Sequence, residues 1–94
     1  MRKYELVFIV KILEEEALDK AITKVENLIN NNGGNIEKTD RWGKRRLAYE
    51  VKDMMEGFYV VIYFNGQPAT VKELDRVIKI TDDILKFMIV KADE

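Results

Sequence analysis

The sequence contains no histidine, no cysteine and no serine. Without serine or cysteine the usual nucleophile–base pairs cannot be built, and without histidine the side chain best suited to proton transfer near neutral pH is missing. The same absences remove His- or Cys-based zinc sites and thiol redox chemistry. Carboxylates and lysines remain, but no pattern marks a site among them. We therefore predict that the chain is not an enzyme and has no metal or cofactor.

Long hydrophobic runs are also missing. The longest is Phe58–Phe64, far short of the roughly 20 residues that span a bilayer. The apolar stretch behind Met1-Arg2-Lys3 stops at Lys11 without a small-residue cleavage site, which is unlike a signal peptide. We expect a cytoplasmic protein. Its 94 residues, 47% of them hydrophobic, suit a single domain over 1–94 with a short polar tail at 91–94.

Basic residues are concentrated in one segment. Residues 1–40 hold six basic and eight acidic side chains, and residues 53–94 hold five and eight. Residues 41–52 hold five basic and one acidic, a local net charge of +4 in a chain of net charge −1. This distribution favours a focused contact with an anionic partner over general adhesion.

Hydrophobic periodicity and turn residues predict six elements. Apolar residues at spacings of three and four predict the first helix, which the run Asn30–Gly34 ends. Pro68 suits the start of the second helix, where its missing N–H costs nothing. The predicted elements are a strand over 4–10, a helix over 14–29, two half-strands over 36–40 and 46–52 around Trp42-Gly43, a polar turn over 53–57, a strand over 58–64, a helix from 68 and a strand over 84–90.

The order strand, helix, strand, strand, helix, strand predicts an α+β, ferredoxin-like split β-α-β domain. Its four strands form an antiparallel sheet with both helices on one face. The other sheet face is then bare and should alternate with polar residues. The first, third and fourth strands do not alternate, so we expect an apolar open face that marks a partner. Alternatively, these strands simply contain more β-formers than the core requires.

The segment Arg41–Lys52 combines bases with aromatic rings. Along a strand, Leu47, Tyr49 and Val51 share one side, and we predict that Leu47 and Val51 face the core. Lys44, Arg45 and Arg46 then crowd the start of the strand beside Trp42. Arginine bridges phosphates and stacks on bases, and Trp and Tyr rings offer stacking platforms. A purely solubilising basic surface is the alternative.

The segment Gly43–Lys52 resembles the signature of the bacterial small-subunit ribosomal protein six family. Val51 stands where isoleucine is usual, which is a conservative departure, and Lys86 stands where arginine is common. The similarity runs in order along the whole chain. It also covers Met1–Glu5, Glu56–Tyr59, Glu73–Arg76, Ile80–Lys86 and Val90-Lys91.

The resemblance implies a ferredoxin-like structural constituent of the small ribosomal subunit. In its central platform, such a protein binds ribosomal RNA jointly with ribosomal protein eighteen, which would be the partner on the apolar sheet face. By position, RNA contact is carried onto Arg2, Lys44, Arg45 and Arg46, and onto Lys3, Trp42, Tyr49 and Lys86. Lysine at position 86 does not offer arginine's bidentate contact.

Two other kinds of domain have this element order and are alternative interpretations. An RNA-recognition motif would use Gly57, Phe58, Val61 and Tyr63 in its third-strand signature, but the sequence lacks that signature's base and central aromatic ring. A dimerising, ligand-sensing ferredoxin-like domain would use the apolar sheet face for self-association. It would leave the basic cluster unexplained.

Overall fold

The structure is a computed structural model and describes residues 1–92. No helix within these residues is long and apolar enough to cross a lipid bilayer. The element order is the predicted one. The elements are β1 (Arg2–Val10), α1 (Glu15–Asn31), β2 (Asn35–Val51), β3 (Met54–Gly66), α2 (Pro68–Ile78) and β4 (Ile84–Lys91).

The four strands form one antiparallel sheet in the order β2-β3-β1-β4. The first strand therefore lies in the centre beside β3, and the basic strand β2 is an edge. Both helices pack on the same sheet face, which confirms the ferredoxin-like prediction. The other sheet face, called here the open face, has no helix over it within the described part of the chain.

The main core lies between the sheet and the helices. Alternation places the even-numbered residues of β1 and β3 on this side, opposite the apolar stripes of both helices. All of these side chains are at least nine-tenths buried. The strands contribute Tyr4, Leu6, Phe8, Val10, Val60, Ile62, Phe64 and Ile84, and the helices contribute Leu18, Ile22, Val25, Ile29, Leu74 and Ile78.

The two helix ends predicted from Gly and Pro are joined by one hydroxyl group. At the end of α1 the Gly34 N–H donates to the Ile29 carbonyl (2.9 Å). Pro68 begins α2, and the buried Thr70 hydroxyl in its first turn donates to the Asn32 carbonyl (2.7 Å). Thr70 Oγ1 also accepts the Gln67 N–H (3.2 Å), so the hydroxyl satisfies groups from both termini.

The predicted interruption of the second strand at Trp42-Gly43 is wrong, because the chain forms a bulge there instead of a break. Arg41 pairs with Val60 and Gly43 pairs with Tyr59, which leaves Trp42 as the extra residue. Gly43 has a φ of 92°, in the left-handed region that glycine adopts without strain. A β-bulge absorbs one residue and lets the strand continue.

The predicted polar turn over 53–57 is also wrong, because β3 begins at Met54. Val51 pairs with Met54, so only Lys52 and Asp53 form the turn. Both have positive φ, 49° and 65°, as a type I′ hairpin turn requires. At its C-terminal end, β3 continues through Gly66 rather than ending at Phe64 as predicted.

The C-terminal tail starts later than predicted. Lys91 is the last residue of β4 rather than the first of the tail, since Tyr4 pairs with it across the sheet. The last two residues of the predicted 91–94 tail lie outside the described residues.

Leu47 does not face the main core, which corrects the prediction. It is buried in a second cluster with Ile9 and Leu85, and Val51 packs against the same cluster. Ile9 alternates with the core residues of β1, so this cluster lies on the open face. Residues 47–55, called here the hairpin arm, therefore fold back over one end of the open face. The polarity pattern showed which residues share a side but not which of two apolar sides they face.

Gly57 provides a test of this second cluster. A Cβ at Gly57 would clash with Ile9 Cγ2 and would lie 3.2 Å from the Val10 carbonyl oxygen. We expect Gly57→Ala to lower the free energy of unfolding by about 1–3 kcal/mol through overpacking. Urea denaturation measures this, with the exposed neighbour substitution Glu56→Ala as control, expected within about 0.5 kcal/mol of the parent. Equal stability of Gly57→Ala and the parent would contradict the packing.

Candidate nucleic-acid interface

Three consecutive basic side chains lie exposed on the edge strand β2. Lys44 pairs with Phe58, Arg45 with Gly57 and Arg46 with Glu56 of β3. Since successive strand residues alternate, Arg45 shares the open-face side with Leu47, while Lys44 and Arg46 share the helix side with Phe58. The cluster therefore presents charge around the sheet edge rather than on one flat surface.

Arg41, the first base of the segment, does not belong to this cluster. Its guanidinium forms an ion pair with Asp19 of α1 at 2.6 Å, so it is directed to the helix layer. The local charge of +4 counted from the sequence therefore overstates the charge offered to a partner. Within residues 1–92, no group of three or more carboxylates is placed to hold a metal ion.

Trp42 and Arg45 meet beside the bulge. The indole is 47% exposed, and the Arg45 guanidinium carbon lies 5.9 Å from the ring centroid, at the outer limit of a cation–π contact. The bulge sets this geometry, because it rotates Trp42 out of the regular alternation. Two residues chosen separately from the sequence thus form one feature.

Tyr49 and Lys86 also meet, although they belong to opposite edges of the sheet. The hairpin arm carries Tyr49 across to β4, where the Lys86 ammonium donates a 2.5 Å hydrogen bond to the phenol oxygen. The same ammonium lies 4.9 Å from the ring centroid. The arm is held a second time at its turn, where Lys52 Nζ donates to the Ile84 carbonyl (3.2 Å).

Arg2 and Lys3 lie apart from the other six candidate residues. Arg2 pairs with Gly66 of β3, whereas Arg45 pairs with Gly57. Nine residue steps along one strand, at about 3.3 Å each, separate the two ends by roughly 30 Å. The eight candidates therefore form two basic sites at opposite ends of the sheet and not one continuous site.

The open face between these sites is mostly apolar, and Glu5, which pairs with Tyr63 and Val90, is the charged residue within it on β1. Met88 is 56% exposed, and Val61 is almost fully covered by its neighbours. Both tyrosines of β3 on this face, Tyr59 and Tyr63, were not selected from the sequence, although alternation with the core residues Val60 and Ile62 identifies them. The apolar open-face set comprises Val7, Tyr59, Val61, Tyr63, Met88 and Val90.

The strand register argues against an RNA-recognition motif. Such a motif needs its third-strand aromatic rings on the open face, where they stack bases. Phe58 and Val60, which would hold the two stacking positions, instead pack against the main core. Tyr59 and Val61 occupy the open face in their place. The residues that match the signature therefore point to the opposite side of the sheet from the one that the motif requires.

A ferredoxin-like domain with basic side chains at both ends of its sheet and a mostly apolar open face between them has the form of a binding protein. Comparison with known proteins defines it further. The family model described as Ribosomal protein S6 matches residues 3–91, and the chain belongs to the ribosomal protein S6 family.

The sequences of individual relatives match this chain along its whole length. The small ribosomal subunit protein bS6 of Heliobacterium modesticaldum is 53% identical, and the match covers 100% of this chain and 99% of that protein. The protein of the same name from Symbiobacterium thermophilum is 48% identical, with 100% of both covered. The crystal structure of 30S ribosomal protein S6 from Thermotoga maritima superposes with a TM-score of 0.91 at 32% identity, over 97% of this chain and 87% of that one.

Family membership confirms several predictions. The resemblance found in the sequence is correct, and the family consists of structural ribosome components rather than enzymes. The homologues are proteins of the small ribosomal subunit, which agrees with the predicted cytoplasmic, ribosomal location.

The bond between Tyr49 and Lys86 gives a prediction about the hairpin arm. Tyr49→Phe removes the hydrogen bond but keeps the ring, and for exposed groups this costs about 0.5 kcal/mol. We expect amide hydrogen exchange in residues 47–55 to become about twofold faster. Tyr63→Phe, on the open face away from the arm, is the matched control and should leave those rates unchanged. Unchanged rates in Tyr49→Phe would mean that the bond does not hold the arm.

Proposed function

We propose that this chain is a structural constituent of the small ribosomal subunit and binds small-subunit ribosomal RNA in the central platform jointly with ribosomal protein eighteen. The observation that carries the proposal is the division of its surface. Exposed basic side chains lie at the two ends of the sheet, and a mostly apolar face lies between them. The names of the relatives support the ribosomal setting.

RNA contact falls to the two basic sites. Lys44, Arg45 and Arg46 are exposed on an edge strand, where no neighbouring strand shields them from a phosphate backbone. Arg2 and Lys3 supply the second contact at the far end. Trp42 and Lys86 complete the first site, Trp42 through stacking and Lys86 through charge, and Tyr49 contributes by holding the Lys86 ammonium.

Each RNA contact involves few charges. Four basic side chains at one site (three on β2, with Lys86) and two at the other, in a chain of net charge −1, support only weak attraction for RNA. The chain alone should therefore bind RNA weakly, and a second protein has to supply further affinity. Nanomolar affinity of the isolated chain for RNA would contradict this.

The apolar open face is the surface proposed for ribosomal protein eighteen. Met88 and Val90 are exposed on β4, and Val7 of β1 and Tyr59 and Tyr63 of β3 are partly exposed beside them. Apolar groups contiguous over three strands favour a protein partner, since RNA recognition needs phosphate or base-edge contacts. A partner seated there would lie between the two basic sites. RNA bound at either end could then touch both proteins.

Salt dependence tests the RNA surface. In the complex with ribosomal protein eighteen, we expect Arg45→Ala with Arg46→Ala to reduce the log–log slope of RNA affinity against salt by about 1.5–2 units, because each lost phosphate contact removes nearly one. Lys72→Ala in α2 with Lys79→Ala at its C-cap removes the same charge from the helix side and is the control. An unchanged slope in the β2 double variant would place the RNA surface elsewhere.

Charge introduced on the open face tests the partner surface. Met88→Lys would bury an unpaired ammonium in the proposed interface, and we expect affinity for ribosomal protein eighteen to fall at least about tenfold. Ile80→Lys changes an apolar residue that is at least as exposed and lies two residues after α2, away from the open face, and should have no effect. Calorimetry measures both. A homodimer in sedimentation that Met88→Lys dissociates, without affinity for the second protein, would favour the dimerising-domain alternative.

A further inference from the structure

We propose that Trp42 and Arg45 form a site for one unpaired nucleotide, with its base stacked on the indole and its phosphate bound by the guanidinium. The inference rests on the proposed function and names the RNA feature that the β2 site takes. The observation behind it is an exposed aromatic ring that the fold itself does not use.

The position of Trp42 has no structural need for an indole. As the extra residue of the bulge it lies outside the regular pairing of β2 with β3. Its ring belongs to neither hydrophobic cluster and is 47% exposed. A large apolar ring that is about half exposed and lies beside three basic side chains is available to bind a ligand.

Space for that ligand is open beside the ring. A Cβ built on Gly43 would meet no atom within 4 Å, so nothing blocks the strand edge next to the indole. Glycine at this position satisfies the left-handed φ of the bulge and leaves the approach to Trp42 unobstructed.

Arg45 is free to bind a phosphate at the same place. It forms no ion pair within residues 1–92, whereas Arg41 is held by Asp19. At 5.9 Å its contact with the indole is weak, so the guanidinium can turn to a phosphate without losing much. Its planar donors suit the bidentate geometry of phosphate oxygens.

The chemistry of the pair selects an unpaired nucleotide. Bases inside an A-form helix are stacked on both faces, and the deep, narrow major groove excludes side chains. A single ring can stack only on a base with a free face, such as one in a bulge, a loop or at an end. A protein surface over Trp42 would instead desolvate Lys44, Arg45 and Arg46 without pairing them.

The second cation–aromatic pair does not share these properties. The phenol oxygen of Tyr49 already accepts the Lys86 ammonium, and that bond joins the hairpin arm to β4. A nucleotide stacked on Tyr49 would compete with this contact. The structure thus assigns holding of the arm to Tyr49 and nucleotide binding to Trp42.

Intrinsic fluorescence tests the site directly, because Trp42 is the only tryptophan in the chain. The probes are an RNA hairpin with a single bulged nucleotide and the same hairpin fully paired, titrated at low salt. We expect the bulged RNA to quench Trp42 emission strongly. The paired RNA should bind through its phosphates with little quenching.

Substitutions separate the ring from the charge, with binding followed by the anisotropy of labelled RNA. Trp42→Leu should weaken binding of the bulged RNA about 5- to 100-fold, the range for loss of one stacked base, and leave the paired RNA unchanged. Trp42→Phe keeps a ring and should retain most of the preference for the bulge. It also serves if the leucine variant folds poorly. Arg45→Lys keeps the charge and should lose part of the preference.

The outcomes distinguish this site from the function on which it rests. Equal quenching by both hairpins, or equal loss of both in Trp42→Leu, would overturn the nucleotide site. Binding of both hairpins that depends on Lys44, Arg45 and Arg46 without quenching would overturn the nucleotide site alone and leave the RNA surface in place. Binding of neither hairpin at low salt would overturn both proposals.

Discussion

Burial of Leu47 against Ile9 and Leu85 holds the long β2–β3 hairpin on the open side of the sheet. The cluster has only three buried members, but it decides where the hairpin arm lies. With the arm in place, Tyr49 reaches Lys86 on the opposite edge of the sheet, and Lys52 reaches the backbone of β4. The arm also covers one end of the open face, so that only the central apolar residues stay available to a partner. The contact of Leu47 with Ile9 and Leu85 therefore fixes one edge of the RNA site and one edge of the partner surface.

The remaining surface is divided by the geometry of an antiparallel sheet. Two basic sites sit at opposite ends of β3, about 30 Å apart, because Arg2 and Arg45 pair with residues nine steps apart on that strand. Between them Val7 of β1, Tyr59, Val61 and Tyr63 of β3 and Met88 and Val90 of β4 form a mostly apolar face. A chain with net charge −1 cannot hold RNA strongly through such small patches. Joint binding with a second protein on the apolar face resolves that weakness.

The element order followed from local signals alone. Pro68 and the Asn30–Gly34 run mark helix ends through backbone chemistry that acts within a few residues, and both predictions are confirmed. The face to which each β2 side chain points could not be predicted in the same way, because Leu47 is apolar and the sheet has an apolar cluster on each side. The bulge at Trp42, the ion pair of Arg41 with Asp19 and the separation of Arg2 from Arg45 all depend on strand register. Register is set by turn geometry and by which apolar side of a strand is buried, and both the Lys52-Asp53 turn and the side on which Leu47 is buried were predicted wrongly.

The division of the surface between RNA and protein can be measured by hydroxyl-radical oxidation of the chain followed by mass spectrometry. The chain is compared free, with ribosomal RNA alone, with ribosomal protein eighteen alone, and with both together. The protein partner alone should protect Met88 and Tyr63 on the open face and leave Trp42 reactive, and Trp42 should become protected only when RNA is added. Protection of Trp42 by the partner alone, or of Met88 by RNA without the partner, would contradict this division.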